Sequence, residues 1–392
     1  MRFTLRGARL VDATNELPQD EITIDGTQIQ GVGSSAEKPG TIIDVSNMIV
    51  TPGFIDVHTH GGGSFNLHTT NVEEIHAYRR WVAGTGVTSF LIAVVGTPNA
   101  LPEEQLRTAV KAIESGKTGT EAVGIFMEGP YINVKRRGAH PPSWLRMPDE
   151  GETQQILELS QGHLKLITLA PELPGATAMI RRLIEAGVTV AMGHSDVNYE
   201  QAREAIGLGV THLTHCFNAM RPFLHREPGP IAAVVEAPQV QAELIGDGVH
   251  VHRAVMHGLI NMIGAERTVV ITDAQAGAGV PDGEFEFGGQ KAKVLCGAAR
   301  LSDGSLAGSI LTLDQGLRNL LEWTGVSLAE AVGMLSYNPA KAARVADRKG
   351  LLKCGYDADL LLFDQDLQLQ ATICRGKVAH ASEAWSERLQ DL

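Results

Sequence analysis

The sequence predicts an α/β chain: a (β/α)8 TIM-like barrel with a small β-sandwich domain formed by both chain termini. Three observations predict it. Eight short apolar runs alternate with amphipathic, helix-like stretches from Gly53 onward. The first fifty residues and residues 350–380 instead carry short β-like runs broken by Gly, Pro and Asn. Histidines and carboxylates recur at the C-terminal ends of the apolar runs, the rim where a barrel of this class builds its site.

The bulk properties fit that plan. At 392 residues the chain is too long for one ordinary core and suggests a large domain plus a smaller one. Hydrophobic residues make up 43% and charged residues 20%, a globular composition. The formal charge of −12, with no basic stripe, argues against a nucleic-acid surface. No apolar stretch approaches the ~20 residues of a membrane span. The opening MRFTLRGARL alternates like a strand and lacks the apolar segment of a signal peptide. Cys216, Cys296, Cys354 and Cys374 form no CxxC pair and read as reduced, mostly packed thiols. A cytoplasmic enzyme is expected, without nucleic-acid or membrane partners.

In chain order, FTLRGARLVD, EITIDGTQIQGVG and TIIDVSNMIV read as strands, closed by the Thr51-Pro52-Gly53 punctuation. The eight barrel strands are expected at 54–58, 87–95, 123–128, 164–170, 188–193, 210–215, 242–246 and 268–273. Their continuous apolar character suits strands buried on both faces. Between them, VEEIHAYRRWVAG, ATAMIRRLIEAG and YEQAREAIGLG read as helices ending at a glycine. AQAGAGVPDGEFEFGG after Asp273 reads as a Gly-rich loop, mobile or facing substrate. Helical pattern resumes at 311–346, and the tail LLKCGYDADLLLFD and ATICRGKVAH is expected to pair with the first fifty residues. The expected domains are 1–52 plus 350–392, and 53–349.

Six residues carry the chemistry: His58, His60, Glu128, His194, His215 and Asp273. In His58-Thr59-His60, residues two apart on a strand face one side and can reach one ion. A second such triplet, His250-Val251-His252, does not follow an apolar strand of this kind. Glu128 closes AVGIFMEGP, where a carboxylate must find a cation, a donor or water. His212 and His215 are three apart, which places them on opposite faces of a strand; His215, nearer the C-terminal end, is taken as lumen-facing. His194 follows VTVAMG and Asp273 ends TVVITD. His68, His76, His163 and His257 read as exposed or helical, with no role. Imidazole and carboxylate ligands suit a divalent metal, Zn first, with Fe, Mn or Co as alternatives. Six groups exceed one tetrahedral ion. Two ions bridged by Glu128, or one ion with His58 and His60 left to hydrogen bonds, both fit.

Longer motifs follow: PGFIDVHTHGGG, MEGPYINVKRRGAH, TLAPE, GHSDVNYEQAREAIGLGVTHLTHCFNAM, HREPG, GDGVHV, TDA and SLAGSILTLDQ. Over nearly the whole chain these resemble the amidohydrolase superfamily and, within it, the N-acetylglucosamine-6-phosphate deacetylase family. The resemblance implies that Glu128, His194 and His215 bind metal, and that His58 and His60 match a pair found in some members. It implies a catalytic role for Asp273 and a carbonyl-polarising role for His140. Sugar-phosphate contacts are implied for Ala139, His140, Asn218, Ala219, Arg226, Asp247, His250, Leu306, Ala307 and Gly308. Gln275, Gly277 and Pro222 depart from the family pattern and leave substrate preference open. The implied reaction is hydrolysis of the acetamide of N-acetyl-D-glucosamine 6-phosphate, in a homodimer where Arg226 acts within or across subunits. The galactosamine epimer and another amide hydrolase of the superfamily are the alternatives. A noncatalytic scaffold disagrees with a complete set of ligands.

Overall fold

The computed structural model of the chain describes residues 1–33, 40–116 and 119–390. Eight parallel strands form one sheet in sequence order: β1 (Phe54–Asp56), β2 (Val87–Val94), β3 (Glu121–Glu128), β4 (Leu164–Leu169), β5 (Thr189–Met192), β6 (His212–Leu213), β7 (Gln241–Ile245) and β8 (Thr268–Ile271). The seam between β8 and β1 is closed just beyond the strand ends. Asp273 N–H donates to His58 O and His60 N–H to Ala274 O, both at 2.8 Å. Thr272 adds its hydroxyl to the buried Asp56 carboxylate at 2.6 Å. The sheet is therefore a barrel.

Alternation sorts its side chains into two cores. Ile55, Leu91, Ala93, Phe126, Leu166, Ala191, Ile245, Val269 and Ile271 fill the interior. Their neighbours Phe54, Phe90, Ile92, Ile125, Ile167, Val190, Leu244 and Val270 pack outward with the helices. Most strands are apolar on both faces, as suits a parallel barrel; β6 is an exception, with no residue in the interior apolar core. Gly193, two past Ala191, is set by space: a Cβ there would lie 2.5 Å from Thr214 Cβ.

The chain termini build two further sheets. One orders Gln28–Val32, Glu21–Asp25, Arg2–Arg6 and Thr41–Asp44; the other orders Arg9–Leu10, Ile49–Pro52, Leu360–Phe363, Leu369–Cys374 and Lys377–Ala381. They enclose a core that includes Phe3, Leu5, Ile22, Ile24, Leu360 and Leu362. Leu361 and Phe363, the alternate residues of the same strand, belong instead to the barrel's outer core, with Phe363 5.9 Å from the Phe54 ring. The second sheet is thus apolar on both faces, clamped between the first sheet and the barrel.

The Gly-rich stretch after Asp273 is not a loop throughout. Gly283–Phe287, Gln290–Leu295 and Ala298–Arg300 form a three-stranded antiparallel meander. GEFEF and QKAKVL alternate with period two, and Gly288 (φ 55°) and Gly289 (φ 72°) make the tight turn between them. Of the four cysteines, all are free; Cys216 and Cys374 are buried, whereas Cys296 and Cys354 are exposed rather than packed.

Candidate metal centre and active site

All the barrel strands but β3 stop one or two residues short of the expected ends, and most of the catalytic-type residues lie in the turns that follow. Glu128, the last residue of β3, points inward by simple alternation from Phe126. The others need more. His194 (φ 48°), His215 (φ 25°) and Asp273 (φ 49°) have left-handed backbones, as do Phe217 and Ala219 nearby. Such conformations are disfavoured for residues with a Cβ, and cluster where function fixes them. At His215 the twist cancels the alternation used above. His212 also faces inward: its Nε2 lies 3.0 Å from Glu243 Oε1, in the layer beneath. The expectation that His212 and His215 oppose each other is therefore corrected, since the strand ends at Leu213.

The six residues converge. Glu128 Oε1 lies 3.0 Å from His194 Nε2 and 3.2 Å from His215 Nε2, and these two nitrogens are 3.0 Å apart. On the other side, His60 Nε2 lies 3.3 Å from Glu128 Oε2 and 3.3 Å from Asp273 Oδ1. His58 Nε2 is 3.4 Å from Glu128 Oε1 and 3.6 Å from Asp273 Oδ1. Glu128 thus stands between two groups of potential ligands, one with His194 and His215, the other with His58, His60 and Asp273. All six are buried.

These residues fit a divalent cation. The edges of the Glu128–His194–His215 triangle approach the ~3.3 Å expected between ligands about 2.0–2.1 Å from one tetrahedral ion. His194 Nδ1 donates to Arg136 O at 2.8 Å, which leaves Nε2 a lone pair aimed at His215. His58 Nε2 and His60 Nε2 are buried without a hydrogen-bond partner, a costly state for a polar atom unless it is a ligand. Burial alone would lower the His58 pKa, but the charges of Glu243, Asp273 and Glu128 raise it well above normal. His60 is likewise moved up to about 9, against its burial, by Asp273 and Glu128. Burial opposes ionisation of Glu128, yet His194, His58 and His140 hold its pKa well below the usual range. The field that draws protons onto these imidazoles is the field a metal ion would feel.

Beneath this centre lies Glu243, fully buried on β7 and overlooked in the sequence. Its Oε2 accepts from His58 Nδ1 at 2.9 Å and from the His215 backbone N–H at 3.0 Å; its Oε1 faces His212. It fixes the His58 ring with Nε2 free to ligate, as outer carboxylates do at metal sites. A carboxylate amid QAELIGD, an apolar strand, was the signal available.

A cavity of about 210 Å³ opens beside Asp273, His194 and His215. It gathers most of the proposed substrate contacts: Ala139, His140, Asn218, Ala219, His250, Leu306 and Gly308. Three lie elsewhere. Ala307 is buried behind the rim. Asp247 does not line the cavity; it accepts His250 Nδ1–H at 2.7 Å and the Val249 and His250 backbone N–H groups at 2.9 Å, so it orients His250. Burial would lower the His250 pKa, but Asp247 outweighs it and raises it, which favours the cationic imidazole that suits an anion. Arg226 sits in an exposed loop, 2.7 Å from His225 Nε2, outside the cavity of its own chain. His140, whose pKa burial lowers, lies 3.1 Å from Glu128 Oε2. His68, expected to be exposed or helical, is instead largely enclosed: Val95 N–H donates to its Nδ1 at 3.2 Å, and burial pushes its pKa down to about 4.

A closed parallel barrel with convergent imidazoles and carboxylates at its C-terminal mouth defines a metal-dependent hydrolase. Residues 49–379 match the model of the Amidohydrolase family, and the chain belongs to that family. Among curated relatives it is 35% identical to an N-acetylglucosamine-6-phosphate deacetylase of Lysinibacillus sphaericus, over 96% of this chain and 98% of that protein. It is 34% identical to an N-acetylgalactosamine-6-phosphate deacetylase of Escherichia coli O157:H7, over 97% of this chain and 100% of that protein. Among solved structures, a mutant N-acetyl-D-glucosamine-6-phosphate deacetylase of Mycobacterium smegmatis, in complex with N-acetyl-D-glucosamine 6-phosphate, superposes with a TM-score of 0.90. That pair is 32% identical, covering 96% of this chain and 99% of the other.

Proposed function

We propose that this protein hydrolyses the acetamide of N-acetyl-D-glucosamine 6-phosphate to D-glucosamine 6-phosphate and acetate. The observation that carries the proposal is the Glu128–His194–His215 triangle, 3.0–3.2 Å on each edge, with Asp273 beside it at the mouth of a sugar-sized cavity. A divalent ion bound there supplies Lewis acidity, lowering the pKa of water and polarising a carbonyl. The chain supplies the rest. Asp273, its pKa lowered against burial by His58 and His60, is ionised at neutral pH and accepts a proton from the attacking water. It returns that proton to the amine nitrogen as the C–N bond breaks. His140 stands where it can donate to the carbonyl oxygen as that oxygen gains charge. Asn218 and His250 face the sugar phosphate.

Zinc is the ion best matched to this donor set, with Fe, Mn or Co as alternatives. Two ions per chain would occupy both ligand groups, one held by Glu128, His194 and His215 and the other by His58, His60 and Asp273. The relatives include enzymes named for each epimer, so N-acetyl-D-galactosamine 6-phosphate is the second reading. A phosphate dianion needs more positive charge than His250 gives. A homodimer in which Arg226 reaches the neighbouring subunit's cavity supplies it, in keeping with the exposed Phe223 and Leu224 beside it. A cytoplasmic enzyme accords with a chain in which no described helix is long and apolar enough to cross a membrane.

Acetate release from both epimeric N-acetylhexosamine 6-phosphates, from the unphosphorylated sugars, and after chelation tests this reading. Turnover should need the phosphate and cease on metal removal. Equal rates on the unphosphorylated sugars, or none on either phosphate, would overturn it.

A further inference from the structure

A second cavity, of about 330 Å³, adjoins the first and shares Glu128, Ala139, His140 and Phe287 with it. The sugar phosphate does not account for it. An amide has two sides. On the reading above, which this inference rests on, the amine side carries the sugar toward Asn218 and His250. The carbonyl carbon must sit among Asp273, His140 and Glu128. The acyl side then projects away from the sugar, where the second cavity opens.

An acetyl group would leave most of that space unused. A methyl is about the size of a water molecule, whose share of volume is about 30 Å³, roughly a tenth of the cavity. Its apolar lining comes from Val95, Pro141, Trp144 and Phe287, with His68, whose pKa burial pushes down to about 4, among them. The hairpin tip closes the roof: a Cβ on Gly289 would come within 2.8 Å of the Trp144 ring. Two carboxylates, Glu74 and Glu286, join the lining. Glu74 accepts from Asn66 N–H at 2.8 Å and from the Thr69 hydroxyl at 2.6 Å.

We propose that this cavity is an acyl subsite that admits N-acyl groups longer than acetyl, accepting propanoyl and butanoyl chains and rejecting chains that end in a carboxylate. The chemistry is unchanged. Water adds across the amide, a C–O bond forms, the C–N bond breaks, and the proton passes through Asp273 to the amine, releasing the longer carboxylate.

The test is kcat/KM for glucosamine 6-phosphate bearing N-acetyl, N-propanoyl, N-butanoyl and N-succinyl groups. A methyl-tight pocket would penalise each added methylene by about 10–200-fold. Here propanoyl and butanoyl should stay within about tenfold of acetyl, and succinyl should fall more than about a hundredfold through repulsion by Glu74 and Glu286. Val95→Phe, which fills the cavity, should depress butanoyl relative to acetyl. Should that buried change impair folding, Glu74→Gln gives a second reading by raising succinyl relative to butanoyl. Loss of propanoyl by more than about tenfold in the wild type, or variants that change every acyl group equally, would overturn the subsite. Failure on the acetyl substrate itself would instead remove the deacetylase reading.

Discussion

Strand β3 begins at Glu121 and ends at Glu128, and the two carboxylates meet opposite fates. Glu121 faces fixed cations: Arg348 Nη2 at 2.7 Å and Lys349 Nζ at 2.8 Å. Lys349 is buried yet also pairs with Asp357 at 3.0 Å and Asp359 at 2.5 Å, while Arg348 bonds Asp357 as well. Every charge there has a permanent partner. Glu128 is ringed by imidazoles, which are cationic only when protonated, and three of their nitrogens, His58 Nε2, His60 Nε2 and His215 Nδ1, have no hydrogen-bond partner. One end of the barrel is electrostatically complete and joins it to the terminal β-sheets. The other is complete only with a cation. Completeness, not residue type or burial, separates the structural end from the chemical one.

The largest expected effect falls at the incomplete end. Asp273→Asn keeps the size of the side chain but removes its proton affinity, and should lower kcat by about 10²–10⁴-fold. Metal analysis of the same sample should still find the ion held by Glu128, His194 and His215; near-normal turnover would remove Asp273 as the base. At the complete end, Lys349→Met strips Asp359 of its cation and leaves Glu121 and Asp357 to share Arg348. It should cost about 3–5 kcal/mol of stability in urea unfolding, with kcat of the folded enzyme unchanged. A loss of turnover without a loss of stability would break the division between the two ends.

Acid should separate them further. Burial raises the Glu121 pKa, but Arg348 and Lys349 outweigh it and hold the carboxyl at about 2 against its normal 4.5. A depressed carboxylate stabilises the fold above its unfolded pKa and loses that contribution as pH falls toward the folded value. Glu121 should therefore contribute about 3 kcal/mol at neutral pH, lost between about pH 4.5 and 2. In Glu121→Gln the stability profile over that window should be flatter; an identical slope would show that other carboxylates carry the acid response.

The barrel was legible because alternation of apolar runs and amphipathic stretches survives in one sequence, and Glu128 falls on an inward position by that period. His194 and His215 were found by position at the rim, not by periodicity, since left-handed backbone turns them inward. The same twist hid the inward face of His212. Arg226 matched a motif, but a motif does not tell whether a loop folds onto its own chain's cavity. The meander at 283–300 was masked by its glycines, although its Gly-Gly turn and period-two flanks were visible. His68 was missed because enclosure by Trp144 and Val95 is a property of distant segments meeting, which no local pattern encodes.

Glu243 gives the smallest and finest test, because its two oxygens do different work. Oε2 holds both His58 Nδ1–H and the His215 backbone N–H, whereas Oε1 faces only His212 Nε2. A backbone donor cannot be reversed, so in Glu243→Gln the amide oxygen should take the Oε2 place and the amide nitrogen should face His212. His212 can answer by moving its proton to Nδ1, an atom with no other partner. His58 then keeps its Nε2 lone pair, and affinity for the ion of the His58–His60–Asp273 group should change by less than about tenfold. Glu243→Leu removes the Oε2 acceptor and should weaken that ion by about 10–100-fold, while the ion at Glu128, His194 and His215 stays tighter. Metal titration by calorimetry reads both variants. Equal losses in the two would mean that Glu243 acts through its charge, and not through the hydrogen bond that orients His58.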